Sequence, residues 1–114
     1  EPRSQHRWII IRKSDMEKMG TCGFHRWNYT NSNVEVGYDL KEKFWENGYM
    51  QEALREIIIF AKNDMNIREI EACIYVDNIR SINLAEKLGF LLSGTCYEVF
   101  RGEQYLHNRY SLKI

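Results

Sequence analysis

Little in this chain invites covalent or ionic cross-linking. It has only three cysteines, and Cys22, Cys73 and Cys96 lie far apart without C-x-x-C spacing. An odd, scattered set argues against a disulfide framework or a zinc knuckle and predicts reduced, mostly packed thiols. His6, His25 and His107 share no ligand spacing with them, so no metal is expected and the histidines read as ordinary strand or surface residues. Charge of one sign is also missing. Sixteen basic side chains interspersed with sixteen acidic ones leave no electrostatic footprint for nucleic acid or an anionic membrane. No apolar run approaches the roughly 18 residues of a spanning helix, and EPRSQHRW at the start holds no apolar signal core. The expectation is a cytoplasmic protein with neither nucleic-acid nor membrane partners. Internal repeats, linkers and low-complexity tracts are absent, so the 114 residues read as one domain, large enough for a real core.

What is present is a legible change of period. WIIIRK (8–13) and TCGFHRWNY (21–29) are strand-like runs, and SDMEKMG (14–20) between them suits a hairpin connection. Asn31 to Asn33 turn into VEVGYDL (34–40), which predicts an antiparallel meander of three strands. From Gly48 onward Met50, Ala53, Leu54, Ile57, Ile58 and Ala61 fall on one helical face, opposite Glu52, Arg55, Glu56 and Lys62. REIEACIYV (68–76) follows as a β-branched strand, expected to pair in parallel with the strand before the helix. Asp77 and Asn78 are suitable N-caps for a second helix through Ile82, Ala85 and Leu88, stopped at Gly89. LLSGTCYEVF (91–100) and QYLHNRYSLKI (104–114) read as a final antiparallel pair joined near 101–103. The fold class is α+β, a mixed sheet with helices packed on it, in the order β-β-β-α-β-α-β-β.

One join carries chemistry. FWENGYMQEAL (44–54) leads from the third strand into the first helix through a turn holding Gly48. A helix that opens on backbone with little side-chain bulk presents unpaired N–H groups and the positive end of its dipole, a ready site for a phosphate or pyrophosphate.

GYDL (37–40), this turn-helix and VDNIRSINLAEKLGF (76–90) together resemble the GCN5-related N-acetyltransferases, and within them the ribosomal-protein N-terminal alanine acetyltransferase branch. The resemblance runs from about Trp8 to the C-terminus. It implies acetyl-CoA as donor, with no metal, lying where the strand ending at Leu40 and the strand ending at Val76 splay apart. It implies that the backbone of Tyr38, Asp39 and Leu40 pairs with the pantetheine arm, and that Trp45, Glu46, Asn47, Gly48, Tyr49 and Met50 form the pyrophosphate turn. Trp45 is expected to pack beside that turn. The superfamily signature is Gln or Arg, two residues, Gly, one residue, then Gly or Ala. Only Gly48 matches it literally, since Glu46 stands for a usual glycine and Met50 for a usual alanine. Ala85 occupies the place of a tyrosine that many members use to protonate the departing thiolate, while Asn78-Ile79-Arg80-Ser81 matches the N-x-x-S of the branch.

The implied reaction asks for few protein groups. The amine must be neutral to attack, the carbonyl oxygen must be stabilised, and the thiolate must be protonated as it leaves. An α-amine near pKa 8 costs roughly 1.4 kcal/mol to deprotonate at pH 7 and a lysine near 10.4 about 4.6 kcal/mol, so a weak, water-mediated base suffices for a peptide N-terminus. The expected roles are the N–H groups near Tyr38 to Leu40 as oxyanion donors, Ser81 at the leaving sulfur, Asn78 as an anchor near the pantetheine, and Glu35 or Glu98 as base. Residue by residue, plainer readings compete: Asn78 and Ser81 suit a helix start, and Glu35 and Glu98 suit a solvated strand. Transfer to a peptide N-terminus or a small amine such as a polyamine stays open beside a CoA-binding module without turnover and an interaction domain without cofactor. Family members begin with a further strand and one or two helices that shape the acceptor side. Either those elements lie outside these 114 residues or the acceptor side is open, and then a homodimer is expected to cover it.

Overall fold

The computed structural model describes residues 6–114. Strands β1 (His6–Arg12), β2 (Glu17–Asn28) and β3 (Asn33–Leu40) form the expected meander. The first connection is shorter than the sequence suggests. Met16 N donates to Arg12 O at 2.7 Å, and the Arg12 guanidinium grips Asp15 at 2.7 Å, so the reversal is complete by residue 16. Glu17 to Gly20 therefore join β2, with Met19 buried. That pair also holds the Asp15 carboxyl down at about 2.

After a single 3-10 turn, Glu42–Phe44, come α1 (Tyr49–Asp64), β4 (Glu69–Tyr75), α2 (Ile79–Lys87), β5 (Leu91–Phe100) and β6 (Glu103–Lys113). Asn78 caps α2 by accepting from Ser81 N at 3.2 Å. Gly89 at φ 96 ends it, and Phe90 folds back buried, its N–H donating to Ala85 O at 3.0 Å. Arg101 (φ 52) and Gly102 (φ 81) make the tight left-handed turn of the last hairpin.

The six strands lie in the order β1-β2-β3-β4-β6-β5. β6 reaches β4, and β5 is left as the outer strand with Leu91, Leu92, Tyr97, Val99 and Phe100 exposed. Strands β3 and β4 are parallel but share only the rungs Asn33–Glu69, Val34–Ile70 and Glu35–Glu71. Beyond Glu35 and Glu71 the two diverge, β3 to Leu40 and β4 to Tyr75, with no rung between them.

Alternation decides which side of this fork is core. Val34, Val36, Ile70, Ala72 and Ile74 face the helices and bury against Met50, Leu54, Ile57 and Ala61 of α1 and Ala85 of α2. Each fully buried aliphatic side chain stabilises the fold by about 1.5–3 kcal/mol before entropic costs. Glu35, Glu71 and Cys73 alternate to the opposite face, which carries neither helix.

Candidate active site

The fork exposes backbone. Lys41 N donates to Met19 O (2.9 Å) on the β2 side, and Ser32 O accepts from Arg68 N (2.7 Å) on the β4 side. Strand alternation between those two bonds turns the even residues of β3 toward β4; the Glu35–Glu71 rung uses the Val36 N–H, and the Val36 carbonyl with the N–H and C=O of Tyr38 and Leu40 open into the gap. The Leu40 carbonyl is taken by the Trp45 indole, whose Nε1 donates to it at 2.8 Å. Asp39 pairs with Thr21, so its backbone faces β2 and only its exposed side chain reaches the cavity rim. Of Val36, Tyr38 and Leu40, Tyr38 alone keeps both backbone groups for the gap, a distinction that needs the register.

The turn from β3 to α1 is built for bare amides. Asn47 Nδ2 donates to Trp45 O at 2.9 Å, Glu46 sits at φ 64 and Gly48 at φ 77. A Cβ on Gly48 would meet nothing within 4 Å, so the left-handed torsion and not lack of room requires glycine. α1 has no side-chain cap, and its first bond is Glu52 N to Gly48 O at 3.0 Å. The N–H groups of Tyr49, Met50 and Gln51 accordingly find no acceptor among the described residues. Met50 does not cover them, because its side chain is buried in the core, and Glu46 is exposed. Glu46 in a left-handed torsion also explains why a glycine is usual there.

α2 forms the facing wall of a cavity of about 410 Å³ that Tyr38, Asp39, Leu40, Trp45, Glu46, Gly48, Tyr49, Met50, Asn78 and Ser81 line together. Asn47 does not line it and serves the turn instead. Ser81 is half-buried, with its N–H capped by Asn78 and its carbonyl accepting from the Tyr38 hydroxyl at 3.4 Å. Burial pushes the Tyr38 phenol up, so it stays a donor at neutral pH. Arg80 and Lys87, which the sequence reading passed over, add two cations to the wall. The Arg80 guanidinium lies 3.2 Å from the Trp45 ring centroid, so Trp45 both packs the turn and carries a cation. Their signal was present as polar positions 80, 83 and 87 on one side of the second helix.

On the helix-free face Glu35 and Glu98 come together through Arg26. A bulge in β2 carries Arg26 at φ 54, with Nη1 at 2.7 Å from Glu35 Oε2 and 3.7 Å from Glu98 Oε1. His25 Nε2 approaches the same Glu35 oxygen at 3.4 Å, leaving Oε1 without a partner among the described residues. Of the thiols, Cys22 is packed as expected, and burial pushes it up. Cys73 and Cys96 are not isolated: their sulfurs lie 2.9 Å apart and half-buried. Burial first, then Cys96, pushes the Cys73 thiol up to about 12 against an Arg109 hydrogen bond. Among the described residues no helix is long and apolar enough to cross a membrane.

Comparison with known proteins agrees with this geometry. Residues 1–91 match the model of the Acetyltransferase (GNAT) domain. An uncharacterized N-acetyltransferase, p20, of Bacillus licheniformis is 35% identical over 99 residues, covering 85% of this chain and 56% of the relative. The ribosomal-protein-serine acetyltransferase of Escherichia coli K12 is 30% identical over 92 residues, 81% of this chain and 51% of that protein. The crystal structure of the microcin C7 self-immunity acetyltransferase MccE, in complex with acetyl-CoA and AMP, superposes with a TM-score of 0.89 at 26% identity over 97% of this chain and 62% of that one. The chain spans little more than half the length of the curated relatives it matches. A fork between parallel strands, bare helix amides beside it and these likenesses meet in one conclusion: the chain belongs to the GNAT family of acetyltransferases.

Proposed function

We propose that this chain binds acetyl-CoA and transfers its acetyl group to a primary amine, best a peptide α-amine, by direct attack in a ternary complex. One observation carries the reading: the backbone of Tyr38, beyond the last rung between β3 and β4, opens directly onto the uncapped N-terminus of α1. The residues fit the donor. Amides of Tyr49, Met50 and Gln51 with the α1 dipole suit a pyrophosphate, Arg80 and Lys87 add positive charge, and the strand edge offers partners for the amides of a pantetheine arm.

Roles follow from position. The Tyr38 N–H stabilises the carbonyl oxygen, held in place by the sheet before charge develops. The Ser81 hydroxyl, at the first turn of α2 beside the fork, protonates the departing sulfur, and Asn78 Nδ2 anchors the donor while its Oδ1 caps the helix. Glu35 is the base. It stands on the last rung before the strands part, and its Oε1, without a partner among the described residues, takes the amine's proton through a water; Glu98, on the outer strand, is linked to Glu35 through Arg26. A peptide α-amine is favoured over a polyamine because the carboxylates of this face, Glu35, Glu71 and Glu98, are each met by Arg26 or Arg109 and leave no net acidic groove. A homodimer belongs to the proposal, with the apolar side chains of β5 as its surface; elution near the 13.7 kDa of one chain removes it.

Thermal shift with millimolar acetyl-CoA tests donor binding, since a ligand at 100 times its Kd adds about 2.7 kcal/mol. Thiol release with alanine- and serine-starting peptides then tests transfer. No shift overturns the whole reading. A saturable shift with no thiol release from peptides or polyamines reduces it to a CoA-binding module, the alternative that the Glu46 carboxylate on the phosphate turn favours.

A further inference from the structure

We propose that Cys73, Cys96 and Glu98 form a binding site for one thiophilic divalent ion of the zinc class, on the helix-free face. The proposal does not depend on acetyl transfer. Cys73 lies on β4 and Cys96 on β5, yet their sulfurs meet at 2.9 Å, closer than the 3.5–4.0 Å at which unbonded carbon atoms rest. A carboxylate oxygen of Glu98, two residues along β5 on the same face, shares the spot, with all three donor atoms within 4.8 Å of one another.

Two chemistries use a thiol pair this close, and the third donor chooses between them. A disulfide joins two sulfurs and makes no use of the Glu98 carboxylate. An ion takes all three donors. With metal–sulfur bonds of about 2.3 Å and a tetrahedral angle, the sulfurs rest roughly 3.7 Å apart, a small outward rotation from where they stand.

Charge also fits. Two thiolates and one carboxylate carry three negative charges, which a divalent ion and the Arg109 guanidinium, hydrogen-bonded to the Cys73 sulfur, balance. Arg26 lies nearer to Glu35, at 2.7 Å, than to Glu98, at 3.7 Å, so Glu98 is free to turn to the ion. Three protein ligands leave a fourth position for water. The site ties the outer strand β5 to β4 over the top of β6.

The test uses the full chain, reduced and stripped with a chelator, then titrated with Cd²⁺. Expected are one ion per chain by elemental analysis, the ultraviolet charge-transfer band of thiolate–cadmium bonds, and a higher Tm. Cys73→Ser and Cys96→Ser each abolish the band, and Glu98→Gln weakens binding at least about tenfold. Should a serine variant fail to fold, alkylation of the native wild-type protein followed by peptide mass mapping serves instead, with Cd²⁺ protecting Cys73 and Cys96. No uptake at micromolar Cd²⁺, a band that survives both serine variants, or absence of protection overturns the site. So does oxidised glutathione converting the ion-free pair to a disulfide with loss of two hydrogens, which makes it a redox pair.

Discussion

Strands β3 and β4 present opposite chemistries on their two faces. Toward the helices, Val34, Val36, Ile70, Ala72 and Ile74 are packed beneath α1 and α2. Toward the other side, Glu35, Glu71 and Cys73 alternate with them and meet Arg26, Arg109 and Cys96. One face is held by burial, which is non-directional among its contacts; the other is held by pairs that exist only because particular side chains come within reach of each other. The difference teaches that stability and chemistry are separable here, since consecutive residues serve different ends.

The largest test attacks the buried face. Ile70→Ala, at a side chain with 0% exposure, is expected to cost about 2–5 kcal/mol in urea denaturation, whatever the ligand state. On the polar face the effect moves from stability to turnover. Glu35→Gln is expected to lower kcat by about 10²–10⁴ while changing stability by about 1 kcal/mol or less, because its ion-pair partner Arg26 is mostly exposed. A matching loss of stability would erase the separation of faces. Ser81→Ala, at the edge where the faces meet, is expected to lower turnover by about 10² with acetyl-CoA affinity unchanged by calorimetry. Unchanged turnover leaves Ser81 a helix-start residue.

Smaller effects sharpen the contrast at the turn and fork. Glu46→Gly relieves a left-handed torsion and removes a carboxylate beside the phosphate site, so acetyl-CoA should bind about 2–5-fold tighter. Weaker binding would mean that Glu46 contributes a contact. The smallest effect is a pH dependence. Burial raises the folded pKa of Tyr38 above the ordinary value near 10, so its stabilising share is complete below that pH and is lost as pH rises toward the folded value, where only the unfolded phenol ionises. Melts between pH 8.5 and 10.5 should therefore decline less in Tyr38→Phe than in the wild type.

The two faces also differ in how far the sequence disclosed them. The stripe Met50, Leu54, Ile57 and Ala61, the alternation in 34–40 and the Asn78 to Gly89 helix were readable because burial imposes a period. Gly48 was readable because a left-handed torsion leaves few choices of residue. The short first turn was hidden by its composition, since Ser, Asp and Gly favour a longer connection than the Arg12–Asp15 pair allows. Cys73 and Cys96 looked remote because 23 residues separate them, and their approach depends on β4 and β5 both pairing with β6, an order that spacing does not encode. That Asp39 turns its backbone away from the fork depends on which residues pair with β2, which no composition or spacing encodes.

Three rungs between β3 and β4 also have a mechanical meaning. They are a narrow spine joining two leaves, β1-β2-β3 and β4-β6-β5, so any guest that wedges into the opening must flex the leaves about Glu35 and Glu71. Hydrogen exchange at the Val36 and Glu71 amides, which cross the last rung, would then register occupancy from a distance, as a latch feels a page turned beyond it.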